Sequence, residues 1–128
     1  MATIKSYTDI NQSRKLQRYL PLESADMCWQ YQKDRWVGEP DYQEFPQFEH
    51  ATDKRDILCW SLASLLSVIP KHIDEFNVLR IDISTNDFAI WYDEIGCGVN
   101  NELPDITMES AVDACVAMIE KLHELKML

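Results

Sequence analysis

The chain has 128 residues, of which 46% are hydrophobic, and its 22 acidic residues outnumber 12 basic ones to give a formal net charge of −10. That charge argues against a protein that binds the backbone of DNA or RNA directly, because such affinity comes largely from lysine and arginine. The length suits one compact domain with its own core, so we expect residues 1–128 to form a single domain.

The sequence lacks the signals of membrane insertion and of secretion. No stretch approaches the roughly 20 consecutive apolar residues of a membrane span, and residues 1–15 lack the apolar run of a secretory signal. We therefore expect a cytoplasmic protein without membrane contact. The widely spaced cysteines form no Cys-x-x-Cys pair. They predict free thiols and no zinc site. The sequence also lacks a calcium loop and a glycine-rich phosphate loop, so we expect neither a metal nor another cofactor. The cysteines are Cys28, Cys59, Cys97 and Cys115.

Three segments have the apolar spacing of a helix. Residues 8–20 form the first, which carries more basic than acidic residues. Ser61–Ile69 forms the second, because Ser61 can cap its first turn and Pro70 cannot continue it. The third, Met108–Leu125, repeats apolar residues at i, i+3, i+4 and i+7 over about five turns.

The start of the third helix is less sharply defined than its apolar face. Thr107 and Asp105 are both side chains that can accept a hydrogen bond from the first free N–H groups of a helix. We expect one of them to cap Met108–Leu125.

The strand signals lie between the second and third helices. Asn77–Ser84 and Phe88–Ile95 alternate apolar and polar residues, and a short third strand is expected up to Val99. Residues 24–32 fit a strand or a short helix, and we favour the strand. The sequence thus predicts an α+β fold. It has a small, mainly antiparallel sheet with a three-stranded meander, an extra N-terminal strand as an alternative, two main helices and an N-terminal helix.

Residues 34–56 show neither helical nor strand periodicity. A loop of this length is uncommon in a compact domain and is often functional. Aromatic residues in it are interleaved with acidic ones, and aromatic side chains are frequent binding anchors. The segment is either a lid on the core or a surface that binds a partner. The candidate binding residues are Trp36, Tyr42, Phe45 and Phe48, with Glu39, Asp41 and Glu44 between them.

Two longer motifs carry a family resemblance. The motifs are Trp60–Leu66 continuing to Pro70, and Ser110–Leu122, with Ala25-Asp26-Met27 upstream. Together they resemble a family of small uncharacterised proteins of gut anaerobic bacteria and their phages and mobile elements. The resemblance is weak between residues 33 and 56. It implies an accessory protein of phages or mobile elements, and it supplies no catalytic residue.

No catalytic constellation is visible in the sequence. Cys97, between two glycines, is the one candidate nucleophile, and His50, His72 and His123 are the histidines that could activate it. The sequence favours a non-enzymatic, protein-binding or regulatory accessory protein that acts through protein contacts. One alternative is an acidic decoy that imitates nucleic acid and blocks a DNA-binding protein. The other is a small cysteine-dependent enzyme.

Overall fold

The computed structural model describes residues 5–32, 42, 45–100 and 102–128. These residues contain three α-helices and two antiparallel sheets, which confirms the predicted α+β class. They divide into two compact units. Tyr7–Ser64 is the N-terminal unit, and Leu65–Leu128 with the described residues of Met1–Ser6 is the C-terminal unit.

The N-terminal unit is built on helix α1 and a two-stranded sheet. Helix α1 spans Ile10–Leu16, and a 3-10 turn follows at Leu22–Ser24. Strand β1, Met27–Trp29, pairs with strand β2, Ile57–Cys59, in antiparallel register. Strand β1 confirms the preference for a strand within residues 24–32. It lies in a separate small sheet and does not extend the predicted meander.

Helix α1 is shorter than the predicted segment of residues 8–20. Asp9 caps it, and the Asp9 carboxylate and the Gln12 side chain bond each other's backbone N–H in a capping box. The helix therefore begins one residue after Asp9. It ends at Leu16, and Gln17 is the C-cap before a series of turns.

The core of the N-terminal unit is a small apolar cluster. Met27, Trp29, Ile57 and Cys59 are buried together, and Tyr7, Ile10 and Tyr42 pack against them. The backbone N–H of Trp60, the residue after β2, donates to Thr8 Oγ1 at 3.1 Å. This bond connects the end of β2 to the segment that precedes α1. The buried Thr8 hydroxyl and the buried Trp60 N–H thus satisfy each other, as buried polar groups generally must.

Helix α2 spans Leu62–Val68, and the division between the two units falls inside it. As predicted, the Ser61 hydroxyl accepts a bond from the Ser64 N–H, at 3.3 Å. Leu65 is fully buried and Ile69, just after the helix, is 1% exposed, whereas Leu62 and Leu66 are half-buried. The spacing of Leu62, Leu65, Leu66 and Ile69 predicts one wholly apolar face, and only Leu65 and Ile69 of these four are buried.

The sheet of the C-terminal unit has five strands. Strands β3, β4 and β5 span His72–Ile73, Asn77–Ile83 and Phe88–Glu94, and they pair in that order. Strands β6, Gly98–Val99, and β7, Asp105–Met108, both pair with β5, at its end and its beginning respectively. The predicted three-stranded meander is thus present as β4, β5 and β6, with β3 and β7 added to it.

Helix α3 covers one face of this sheet. It spans Ala111–Glu124 and packs on β5 and β7. The predicted cap was wrong, because Asp105 and Thr107 lie in strand β7, whose backbone pairs with β5. Ser110 is the actual N-cap, and its hydroxyl accepts from the Asp113 N–H at 3.2 Å. The extended β7 leaves the chain only two residues in which to begin the helix.

Candidate functional site

The described residues include three of the seven candidate binding residues. Trp36, Glu39, Asp41 and Glu44 lie outside the residues that the structure describes. Tyr42, Phe45 and Phe48 lie within them, and all three belong to the N-terminal unit.

Tyr42 is directed towards the core of the N-terminal unit. Its ring packs against the buried cluster and meets Tyr31 edge to face, with ring centroids 5.7 Å apart. Its hydroxyl donates to the Arg55 carbonyl at 2.9 Å, and the Arg14 guanidinium lies 6.0 Å from its ring centroid. Tyr42 therefore occupies the position that the lid interpretation expects.

Phe45 and Phe48 behave differently, because both side chains face solvent. Phe45 is 58% exposed and Phe48 is 73% exposed. The two residues between them are fixed: Pro46 is buried, and Gln47 exchanges two backbone hydrogen bonds with Cys28, at 2.8 and 2.9 Å. The chain thus presents two aromatic rings from a backbone that is paired with β1. We refer to Phe45 and Phe48 as the aromatic pair.

Asp56 holds the backbone that follows the aromatic pair in the chain. Its carboxylate accepts the Tyr31 N–H at 2.8 Å, the Thr52 N–H at 2.9 Å and the Asp53 N–H at 3.0 Å. Burial raises the pKa of the Asp56 carboxyl, but these backbone hydrogen bonds outweigh it, so the pKa lies below the ordinary value. One ionised side chain thus connects β1 to the turn before β2.

A cation and an aromatic ring stack beside this carboxylate. The Arg55 guanidinium carbon lies 3.9 Å from the Tyr31 ring centroid, within the range of a cation–π contact. The same guanidinium pairs with Asp53, with Nη2 and Oδ2 2.9 Å apart. These contacts fix Tyr31, and through it the edge-to-face contact with Tyr42.

A second carboxylate, that of Asp26, connects β1 to the start of α2. It accepts the Ser61 backbone N–H at 2.9 Å and also the Ser61 hydroxyl. Burial raises the pKa of Asp26, and hydrogen bonds from Ser61 and Ser64 more than compensate, which leaves the pKa below its usual value. Asp26 and Ser61 come from two of the motifs that carry the family resemblance, so their pairing gives these residues a structural role.

Sequence reasoning missed the residues that hold the aromatic pair in place. Asp56, Tyr31, Arg55 and Gln47 were not identified, because their partners are distant in sequence or are backbone groups. A local signal did exist at Asp53: its carboxylate accepts the Arg55 backbone N–H at 2.8 Å, and aspartate commonly bonds the backbone two residues further on in a turn.

The cysteines divide into three buried thiols and one exposed thiol. Burial, with nearby negative charges as a smaller effect, raises the pKa of Cys28 to about 11. Burial raises the pKa of Cys115 to about 12, and it also raises that of Cys59. Such thiols stay protonated near neutral pH and are poor nucleophiles. Cys97 is exposed in the turn between β5 and β6.

The described residues contain neither a metal-binding cluster nor a membrane-spanning helix. Among them, no three or more histidine, cysteine, aspartate or glutamate side chains come together as a metal site would require. No helix in the described ranges combines the length and apolar character needed to cross a membrane.

Comparison with known proteins gives no family to which the chain can be assigned. No family model, no curated protein and no solved structure matches it.

Proposed function

We propose that this protein is a non-enzymatic binding protein that contacts a protein partner through the aromatic pair. The observation that carries the proposal is the exposure of Phe45 and Phe48, at 58% and 73%, on a backbone held by two hydrogen bonds to Cys28. Burying a phenylalanine side chain contributes roughly 1.5–3 kcal/mol of favourable free energy. Most of the surface of each ring is exposed in this chain, so much of that free energy is not used by the fold. A partner that covers them would gain it.

The fixed backbone supports the same proposal. Ordering a flexible loop at the moment of binding costs free energy, and a loop already paired with the fold avoids part of that cost. Gln47 bonds Cys28, and Asp56 closes the segment through three backbone N–H groups. The backbone between the two rings is therefore held in place before a partner arrives.

The proposed partner has an apolar pocket bordered by basic residues. Glu49, next to Phe48, is exposed and its carboxylate accepts a hydrogen bond from Gln30. The net charge of −10 favours encounter with a basic surface. The proposal has two further parts. The first is a cytoplasmic location, and the second, implied by the resemblance described above, is a role as an accessory protein of phages or mobile elements.

The test is affinity capture with a matched control. Wild-type protein, the double variant Phe45→Ser/Phe48→Ser and the control Phe76→Ser are used to capture partners from a lysate of the encoding organism. Phe76 is 59% exposed in the C-terminal unit, so its replacement removes a comparable ring elsewhere. Because binding anchors typically contribute 2 kcal/mol or more, we expect the double variant to recover a specific partner roughly tenfold less, and the control to recover it fully.

Melting curves of the three proteins establish that each is folded. Equal recovery by wild type and the folded double variant would contradict the proposal. The salt dependence of capture distinguishes the alternative of an acidic decoy. A partner that is released at high salt, and that the double variant captures as well as the wild type does, would favour that alternative.

A further inference from the structure

Strand β4 has an open edge along its second half. Strand β3 pairs only with Asn77 and Val78, and the Leu79 N–H donates to the Lys71 carbonyl at 2.8 Å. From Arg80 to Ile83, no strand of the described chain pairs with the side of β4 that faces away from β5. Open strand edges are sites at which another strand can add.

The direction of the unpaired backbone groups follows from the neighbouring bonds. In an antiparallel strand the N–H and C=O groups of alternate residues point to the same side. Leu79 bonds outwards to Lys71, whereas the Ser84 N–H bonds to Asp87 within the hairpin of β4 and β5. Ile81 and Ile83 therefore direct two N–H donors and two C=O acceptors to the open edge.

The side chains of the same two residues extend the apolar face of the sheet. Ile81 lies opposite Ile90 and Ile83 lies opposite Phe88. Ile90 and Phe88 are buried on the face that carries α3, whereas Ile81 is 40% exposed and Ile83 is 75% exposed. Helix α3 packs mainly on β5 and β7, and the apolar layer continues on β4 as the exposed side chains of Ile81 and Ile83.

The opposite face of β4 is acidic at the open edge. Arg80 pairs with Asp93 across the sheet, with Nε and Oδ2 3.2 Å apart. Asp82 is exposed, and it takes part in none of the ion pairs found among the described residues. A residue placed opposite Asp82 on an added strand would be favoured if it were basic.

A second copy of the chain fits this edge poorly. A symmetric pairing that joins Ile81 to Ile81 would place Ile83 beside Leu79 of the other copy, where Lys71 already lies. Shifting the pairing so that Ile81 meets Ile83 sets the two Asp82 carboxylates opposite each other. Like charges in that position are destabilising.

We infer that the open edge of β4 binds an extended segment of another protein in which apolar and basic residues alternate. The added strand bonds the outward groups of Ile81 and Ile83, covers their side chains with apolar residues, and places a basic residue opposite Asp82. The open edge belongs to the C-terminal unit and the aromatic pair to the N-terminal unit, and the inference does not depend on the proposed function.

The probe is a short capped peptide of alternating valine and lysine, added to the full-length protein. Amide chemical shifts are followed by NMR. We expect changes centred on Ile81 and Ile83, with further changes at Phe88 and Met108. A peptide with glutamate in place of lysine tests the charge, and one with N-methylated valines tests the backbone bonds. We expect binding by neither control.

Reversing the charge of the edge gives the decisive comparison. In Asp82→Lys we expect roughly fivefold weaker binding of the lysine peptide and new binding of the glutamate peptide, because cross-strand charge pairs reverse their sign. Unchanged shifts with the lysine peptide, or equal binding of the N-methylated peptide, would overturn the inference. Sedimentation of the protein alone tests the other occupant: a dimer that Ile83→Lys dissociates would also overturn it.

Discussion

The two units of this protein are stabilised by different kinds of contact. In the C-terminal unit, α3 packs on β5 and β7, and seven of its residues are buried. In the N-terminal unit, a buried cluster of four residues is supplemented by the carboxylates of Asp26 and Asp56, which accept backbone N–H groups. Periodic apolar burial is sensitive to a cavity in the core, whereas ionised hydrogen-bond acceptors are sensitive to pH.

The largest effect is expected from a cavity in the C-terminal unit. Leu122 is fully buried, so Leu122→Ala should lower the free energy of unfolding by about 2–5 kcal/mol, through lost burial and an unfilled cavity. Leu125, 46% exposed just after the same helix, provides the matched control, and Leu125→Ala should change stability by about 0.5 kcal/mol or less. Urea unfolding measures both. Equal losses would contradict the assignment of the buried face.

A smaller effect, and one that depends on pH, is expected in the N-terminal unit. Asp56→Asn should cost about 1–3 kcal/mol near neutral pH, because an amide cannot accept all three backbone N–H groups. The pKa of Asp56 is lower in the folded state than in the unfolded state. Its contribution is therefore complete above the unfolded pKa of about 3.9 and is lost as the pH falls through the folded pKa.

Melting curves of wild type and Asp56→Asn, recorded from neutral pH into acid, test this linkage. The difference in melting temperature should be present at neutral pH and should shrink in acid, where the wild-type carboxyl also becomes protonated. Asp26→Asn should show the same trend for the same reason, since its pKa is also lowered. A difference that stayed constant into acid would show that ionisation of these carboxyls does not stabilise the fold.

The same contrast explains what the sequence could predict. Strands β4 and β5 and the buried face of α3 follow from regular apolar spacing, which is local and visible in the sequence. The cap of α3 was missed because β7 carries only a short apolar pattern, in which Ile106 and Met108 alternate with Asp105 and Thr107. The strand forms through pairing with β5, which local spacing does not reveal.

The candidate site was less predictable than the fold. The aromatic composition of residues 34–56 indicated an unusual segment, but Tyr42 and Phe45 have different environments. Tyr42 is held by Tyr31 and Arg55, and the base of the aromatic pair is held by Gln47 and Cys28. These contacts join residues separated by about 11–19 positions along the chain, which no short-range spacing reveals.

Amide hydrogen exchange of the intact protein tests most directly whether Phe45 and Phe48 are exposed on an ordered backbone. The Gln47 N–H donates to the Cys28 carbonyl and the Cys28 N–H donates to the Gln47 carbonyl. We expect both amides to exchange slowly, at rates close to those of the paired amides in β1 and β2. Exchange of Gln47 at the rate of an unstructured peptide would contradict the account, because the aromatic pair would then lack a fixed base.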